Sequence, residues 1–274
     1  MAEPRFDIVA AAFHIVTLAR RYPREMRKLG LSAALFFSVF VILVFAVEMA
    51  PGVEPGPMTE LFKLPGTLAL WILIWLVPVA VMRLGMTGET TGVAGLGFGG
   101  DEFRVGFGFW LMGFPASLAS IPTMMIAIPL IGLAQATENL AVVIPVIFAG
   151  LTFGFSGYAY VMARLGPGLA LSIRNKEFYV TRTWRATHPI RWRLLLVWLP
   201  WWLLYFSLTF FGLLAFPRGL AIAGGYTAAI VQTLFGAGVV ILFSMAAATQ
   251  TYVMDYLLRR YPAAASKIGA SPAP

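Results

Sequence analysis

The chain has 274 residues, 59% of them hydrophobic and only 12% charged, with a formal net charge of +8 and no cysteine. A soluble domain carries about 25% charged residues, so this chain cannot cover a globular surface with polar groups and needs lipid as solvent. Disulfides, thiolate metal sites and cysteine nucleophiles are excluded outright.

Residues 1–29 form the first segment. Its apolar core, Ile8 to Val16, is too short to span a bilayer and is followed by Arg20, Arg21, Arg24, Arg27 and Lys28. That order predicts a helix over roughly residues 7–20 lying at the membrane surface. Residues 30–256 then contain six uncharged stretches: Leu31–Val47, Leu64–Met82, Val105–Thr137, Asn139–Ala163, Leu194–Pro217 and Gly219–Met254. Each approaches or exceeds the ~20 apolar residues that a helix needs to cross ~30 Å of hydrocarbon. Backbone amides in lipid must be satisfied within the segment, so the expected fold is all-α, a polytopic integral membrane protein with six transmembrane helices. Residues 257–274 form a tail.

Allotting charges to alternate sides places 18 of the 20 Lys and Arg residues with the termini and even-numbered loops, leaving only Lys63 and Arg218 opposite. By the positive-inside rule both termini are cytoplasmic, and the expected location is a bacterial inner membrane. The arginines line membrane borders and are not gathered on a soluble module, which points to anionic lipid headgroups and away from nucleic acid.

Two spans close on the same phrase, Met82-Arg83-Leu84-Gly85 and Ala163-Arg164-Leu165-Gly166, and the sixth on Leu258-Arg259-Arg260. An aromatic and basic stretch follows each of the first two before the next span, at Phe103-Arg104 and at Trp184-Arg185 through Trp192-Arg193. The pattern reads as three units, each an interfacial segment followed by a transmembrane hairpin, with a further interfacial helix near residues 175–190.

Residues suited to chemistry are scarce. Among the six stretches no ionisable group falls at mid-span, which argues against an ion-coupled transporter or pump. His14 and His188 lie in separate segments without acidic partners at metal-ligand spacing, so no metal or cofactor is expected. No nucleophile elbow, zinc motif or paired carboxylates occur, and an enzyme is not expected. Gly95 to Gly100 is glycine-rich but lacks the strand and the Lys-Ser/Thr of a phosphate loop, and reads as a linker. Pro115, Pro122 and Pro129 recur on one face of the third span, where freed carbonyls could line a cavity or merely curve the helix. Gly150, Gly154 and Gly157 give the fourth span a smooth face for close helix packing. Trp198, Trp201 and Trp202 continue an aromatic run down the fifth, the deeper two packing on protein or lipid chains.

In the fourth connector, Arg174, Lys176, Arg182, Arg185, Arg191 and Arg193 interleave with Trp184 and Trp192. This set is the candidate contact surface for anionic lipid or an acidic partner. The same stretch, from Ala163-Arg164-Leu165 through Trp184-Arg185-Ala186-Thr187 to Trp192-Arg193-Leu194-Leu195, resembles uncharacterised bacterial six-span proteins similar to the membrane domain of some glycerophosphodiester phosphodiesterases. His188-Pro189 departs from the usual continuation of that pattern. The resemblance implies a non-catalytic helical membrane domain. The expected function is a non-enzymatic accessory, scaffold or assembly subunit that packs on lipids, a membrane-protein partner or a second copy of itself. The alternative is a permease or lipid carrier with a cavity beside the third span; a carrier needs a polar or open cavity between its spans, whereas a scaffold needs an exposed groove or flat apolar face that a partner covers.

Overall fold

The structure is a computed structural model that describes residues 6–48, 57–90, 92, 95–137 and 139–260, with most side chains of 57–64 and 205–229 left outside the description. All regular elements among the described residues are helical. Among the described residues four helices are long and apolar enough to cross a membrane, or five if one bent pair counts as a single span.

Helix α1 (Ile8–Ala12) is capped by Asp7, whose carboxylate accepts from the amides of Val9 and Ala10 at 2.9 and 3.0 Å. It breaks at Phe13 before α2 (His14–Arg21), so the single helix expected over residues 7–20 is two short ones. Phe6, Ala11 and Leu18 are buried, which seats this segment on protein. Helix α3 starts at Pro23, a favoured first-turn residue, and runs unbroken to Glu48, so the basic residues Arg24, Arg27 and Lys28 ride on the first turns of the apolar helix itself. Helix α4 (Pro57–Thr87) packs along α3 and carries Pro65 and Pro78 inside it. After a linker with left-handed glycines at 88, 92 and 95, α5 (Gly100–Gln135) runs through all three of its prolines.

The fourth predicted span is bent. Helix α6 (Leu140–Gly154) and helix α7 (Ser156–Leu165) meet at Phe155, α8 (Pro167–Asn175) follows directly, and the stretch Ser156–Asn175 is bent by 41° from α6. Residues 167–173 are all buried, so this part of the connector is interior. The predicted helix near 175–190 is instead a left-handed Lys176, a 3-10 turn at Val180–Arg182, the short α9 (Thr183–Ala186) and a second 3-10 turn at His188–Ile190. Ser172 organises the return, donating to the Gly168 carbonyl at 2.7 Å and accepting from the Tyr179 amide at 3.0 Å.

Helix α10 (Arg191–Arg260) is helical in backbone throughout, including the expected turn at Pro217-Arg218-Gly219. Its two ends nevertheless lie side by side. Leu194, Val197 and Trp198 share a buried cluster with Val253, Met254 and Leu257, although a straight helix would hold Trp201 and Gln250 about 70 Å apart at 1.5 Å per residue. The chain therefore doubles back between Trp201 and Thr233. Outer faces are apolar: Leu31, Leu35, Val39 and Ile42 on α3, and Phe103 through Ile128 on α5, include many exposed large side chains.

Candidate functional site

The two Arg-Leu-Gly phrases occupy matching places. Arg83 is 4% exposed and Arg164 is 3% exposed, although each stands at the end of an apolar helix. A buried guanidinium is tolerated only when its donors are met, and both are met by the connector that follows. Arg83 pairs with Glu102 at 2.5 Å and Asp101 at 3.2 Å, in the first turn of α5 where carboxylates also complement the helix dipole. Arg164 donates to the Trp184 carbonyl, to the Thr187 hydroxyl at 3.3 Å and to the Tyr160 hydroxyl at 3.2 Å, and its guanidinium lies 3.7 Å from the centroid of the Trp184 ring. Each arginine thus ties the end of one hairpin to the residues that lead into the next.

The glycines of the two phrases also correspond. A methyl placed on Gly85 would sit 2.6 Å from Thr251 Oγ1, and one on Gly166 would sit 2.6 Å from Gln250 Nε2. Neighbouring residues of α10 therefore receive both helix ends. The third hairpin meets the N-terminal segment: the Thr249 hydroxyl lies 3.1 Å from the Ala11 carbonyl, and the Phe6 ring contacts Tyr252 and Tyr256 edge-on at centroid separations of 5.8 and 5.1 Å.

Beside this layer lies a half-open cavity of about 480 Å³ lined by α4, α5, α7, α8, both arms of α10 and Phe155 at the α6–α7 bend. Its α4 wall runs from Ile74 to Met82, with Pro78 among the lining residues. Val105 and Phe109 contribute from α5, Phe155 stands at the α6–α7 bend, and Leu169 comes from α8. None of the described lining residues is charged. Three buried polar atoms on the lining residues have no hydrogen-bond partner: the indole nitrogens of Trp198 and Trp201 and Oε1 of Gln250. The prolines that suggested a cavity, Pro115, Pro122 and Pro129, are exposed on the outer face of α5, while the cavity touches only the beginning of that helix.

The predicted packing glycines all face α5. A methyl on Gly150 would lie 2.9 Å from Ile131, one on Gly154 would lie 2.5 Å from Met124 Sδ, and one on Gly157 would collide with the Ala119 carbonyl. The predicted lipid or partner surface is dispersed. Lys176, Arg185 and Arg193 are exposed and Trp192 is 63% exposed, whereas Trp184 is engaged by Arg164. Arg191 contacts the His188 ring at 2.6 Å, Arg174 is partly buried and has an interaction of its own, and the side chain of Arg182 lies outside the described residues. Sequence reasoning missed the buried arginines: Arg83 and Arg164 read as topology charges, although Asp101-Glu102 in the stretch after Arg83 was a usable signal of pairing. Among the described residues no cluster of His, Cys, Asp and Glu could hold a metal ion.

Outside the cavity, His14 is half-buried against the Tyr252 ring at 5.3 Å. Burial holds its pKa below the usual histidine value, with Asp255 opposing and Arg21 reinforcing that shift. No protein-family model matches the chain, and no curated protein and no solved structure matches it.

Proposed function

We propose that this chain is a non-enzymatic six-span protein of a bacterial inner membrane, with both termini cytoplasmic, that binds or carries a lipid in the cavity between its spans. The cavity carries the proposal. A scaffold gains nothing from an uncharged hollow among its helices, whereas about 480 Å³ lies within the ~300–1,000 Å³ of sites for small molecules. The span count rests on the six apolar stretches. Because the two ends of α10 pack side by side, α10 is read as two of the six crossings. The matched arginine and glycine contacts support three units of interfacial segment plus hairpin.

The test is identification of lipid retained by protein purified in mild detergent, beside Ala246→Phe, which fills the cavity from α10. Wild type is expected to retain a lipid that the filled variant loses while keeping its thermal midpoint. Equal retention by the two proteins overturns the carrier reading. A second reading, accessory or scaffold subunit, draws on the exposed aromatic row Phe103, Phe107 and Trp110, whose rings stack at 6.2 and 6.1 Å on the outside of α5. Such a row is suited to a partner helix or to lipid. Loss of a co-purifying protein from Phe107→Ala together with Trp110→Ala, with lipid retention unchanged, favours that reading. The basic connector side chains Lys176, Arg185 and Arg193, with Trp192, suit contact with anionic headgroups.

A further inference from the structure

We propose that the cavity takes the methyl end of a lipid chain longer than one leaflet, which enters through a mouth near the middle of the bilayer and runs toward the buried arginines while its polar head stays outside. The inference rests on the lipid-binding reading and the membrane placement above, and it specifies the ligand. The cavity wall changes in one direction. Near the arginines it is sealed: Val79 and Met82 on α4, Met162 on α7, Ala247 on α10 and Leu169, beyond Arg164 on α8, are all buried. Farther from the arginines on α4 and α10, and before Met162 on α7 and at its start, the lining residues Ile74, Trp75, Phe155, Tyr158 and Phe243 are partly exposed. One end is closed and the other is open. The rim is aromatic, for Trp75, Phe109 and Phe243 come from three parts of the fold and contact one another in series at centroid separations of 6.0 and 6.3 Å.

Depth identifies what stands at the mouth. Ile74 precedes Arg83 by nine residues and Phe155 precedes Arg164 by nine, a rise of about 13 Å at ~1.5 Å per residue. Half of the ~30 Å hydrocarbon core is about 15 Å, so the mouth lies near the midplane, where lipid chains end in methyl groups. Inside, the wall is overwhelmingly carbon. The indole nitrogens of Trp198 and Trp201 and Oε1 of Gln250 are covered by protein and offer nothing to an occupant. A headgroup drawn in would lose its water without gaining partners. Hydrocarbon loses nothing by entering and restores the dispersion contacts that the lining of an empty hollow forfeits. An ordinary chain ends at the mouth, and only one that crosses the midplane reaches the closed end. Two sources supply such a chain, a very long acyl group and a polyprenyl group.

The test is photo-crosslinking of the full chain in phosphatidylglycerol nanodiscs, with the modified residues read by mass spectrometry. One probe is a phosphatidylglycerol with a diazirine at the methyl end of a tetracosanoyl chain, which is about as long as the whole hydrocarbon core. A second carries the diazirine at the end of a palmitoyl chain, a third beside the ester of the tetracosanoyl chain, and a fourth at the end of a polyprenyl alcohol of similar length. The tetracosanoyl end or the polyprenyl end is expected to modify Met82, Met162 and Leu169, and the stronger of the two names the source of the chain. The palmitoyl end should stop at Ile74, Phe155 and Phe243, with about tenfold less modification at the closed end. The ester-proximal group should mark only the outer faces. Ala246→Phe, which fills the hollow, should cut the deep modification about tenfold. Equal depth for the palmitoyl and tetracosanoyl ends overturns the length requirement, and deep modification by the ester-proximal group overturns entry by the methyl end. These outcomes are read on the wild-type protein and do not depend on the variant folding. Modification of no lining residue by any probe, with the outer face of α5 still marked, sinks the lipid-binding reading itself.

Discussion

The guanidinium of Arg164 lies 3.7 Å from the centroid of the Trp184 ring while donating to the carbonyl of the same residue. A planar fork can stack and hydrogen-bond at once, and an ammonium cannot. Around it, the Thr183 and Thr187 hydroxyls lie 3.3 Å from the Arg164 carbonyl, so the end of α7 and the connector satisfy one another. Arg164→Lys is therefore expected to lower stability by about 2–4 kcal/mol, through lost stacking and unmet buried acceptors. Thermal unfolding in detergent checks it, and a midpoint within experimental error of wild type would show that the stack contributes nothing.

Arg83 and Glu102 form the corresponding lock at the start of α5, with side chains 5% and 3% exposed. Removing one partner strands a buried charge, so Arg83→Met should cost about 3–5 kcal/mol. Arg83→Met with Glu102→Gln should recover most of that loss, because Asp101 retains Arg104 as its partner. A double-mutant cycle reads the coupling directly, and additive losses would refute the lock.

Three glycines give a ranking. Gly157 faces the Ala119 backbone, Gly154 faces the flexible end of Met124, and Gly113 has nothing within 4 Å. Gly157→Ala should destabilise by about 1–3 kcal/mol, Gly154→Ala by less, and Gly113→Ala should be neutral or stabilising by up to ~1 kcal/mol from helix propensity. Any other order contradicts the packing of α7 and α6 on α5.

His14 makes stability depend on pH. Its folded pKa is depressed, so the unfolded chain binds the proton more readily and stability is complete above the unfolded value of 6.5. It declines as pH falls through that value toward the lower folded pKa. The thermal midpoint should drop between about pH 7.5 and about pH 5.5, and His14→Gln should flatten that slope. Identical slopes would place the titration elsewhere.

The proposed topology rests on the 18-to-2 division of basic residues. Gly56→Cys should react with a membrane-impermeant thiol reagent on intact cells, and Ser271→Cys should stay silent until the membrane is opened. Both positions lie outside the described residues. The same response from both cysteines would be incompatible with six crossings.

Class and helix content were legible in the sequence because lipid imposes a strong rule: uncharged stretches of membrane-spanning length must form helices, and glycines spaced four apart must face something close. Leu31–Val47, Leu64–Met82 and Val105–Thr137 lie within or nearly coincide with α3, α4 and α5, and Gly150, Gly154 and Gly157 do face a neighbour. The repeated Arg-Leu-Gly phrase was visible as well, but its meaning was not. Whether an arginine at a helix end meets headgroups or a buried carboxylate depends on where a connector about 20 residues later returns, and no local periodicity records that. The cavity was equally hidden. Its walls include Trp198 and Trp201 on one arm and Gln250 on the other, residues about 50 positions apart, each ordinary in its own segment. Only the packing of α4, α5, α7, α8 and both arms of α10 leaves them around one space, because a void is set by the shapes that fail to fill it and no single segment encodes it.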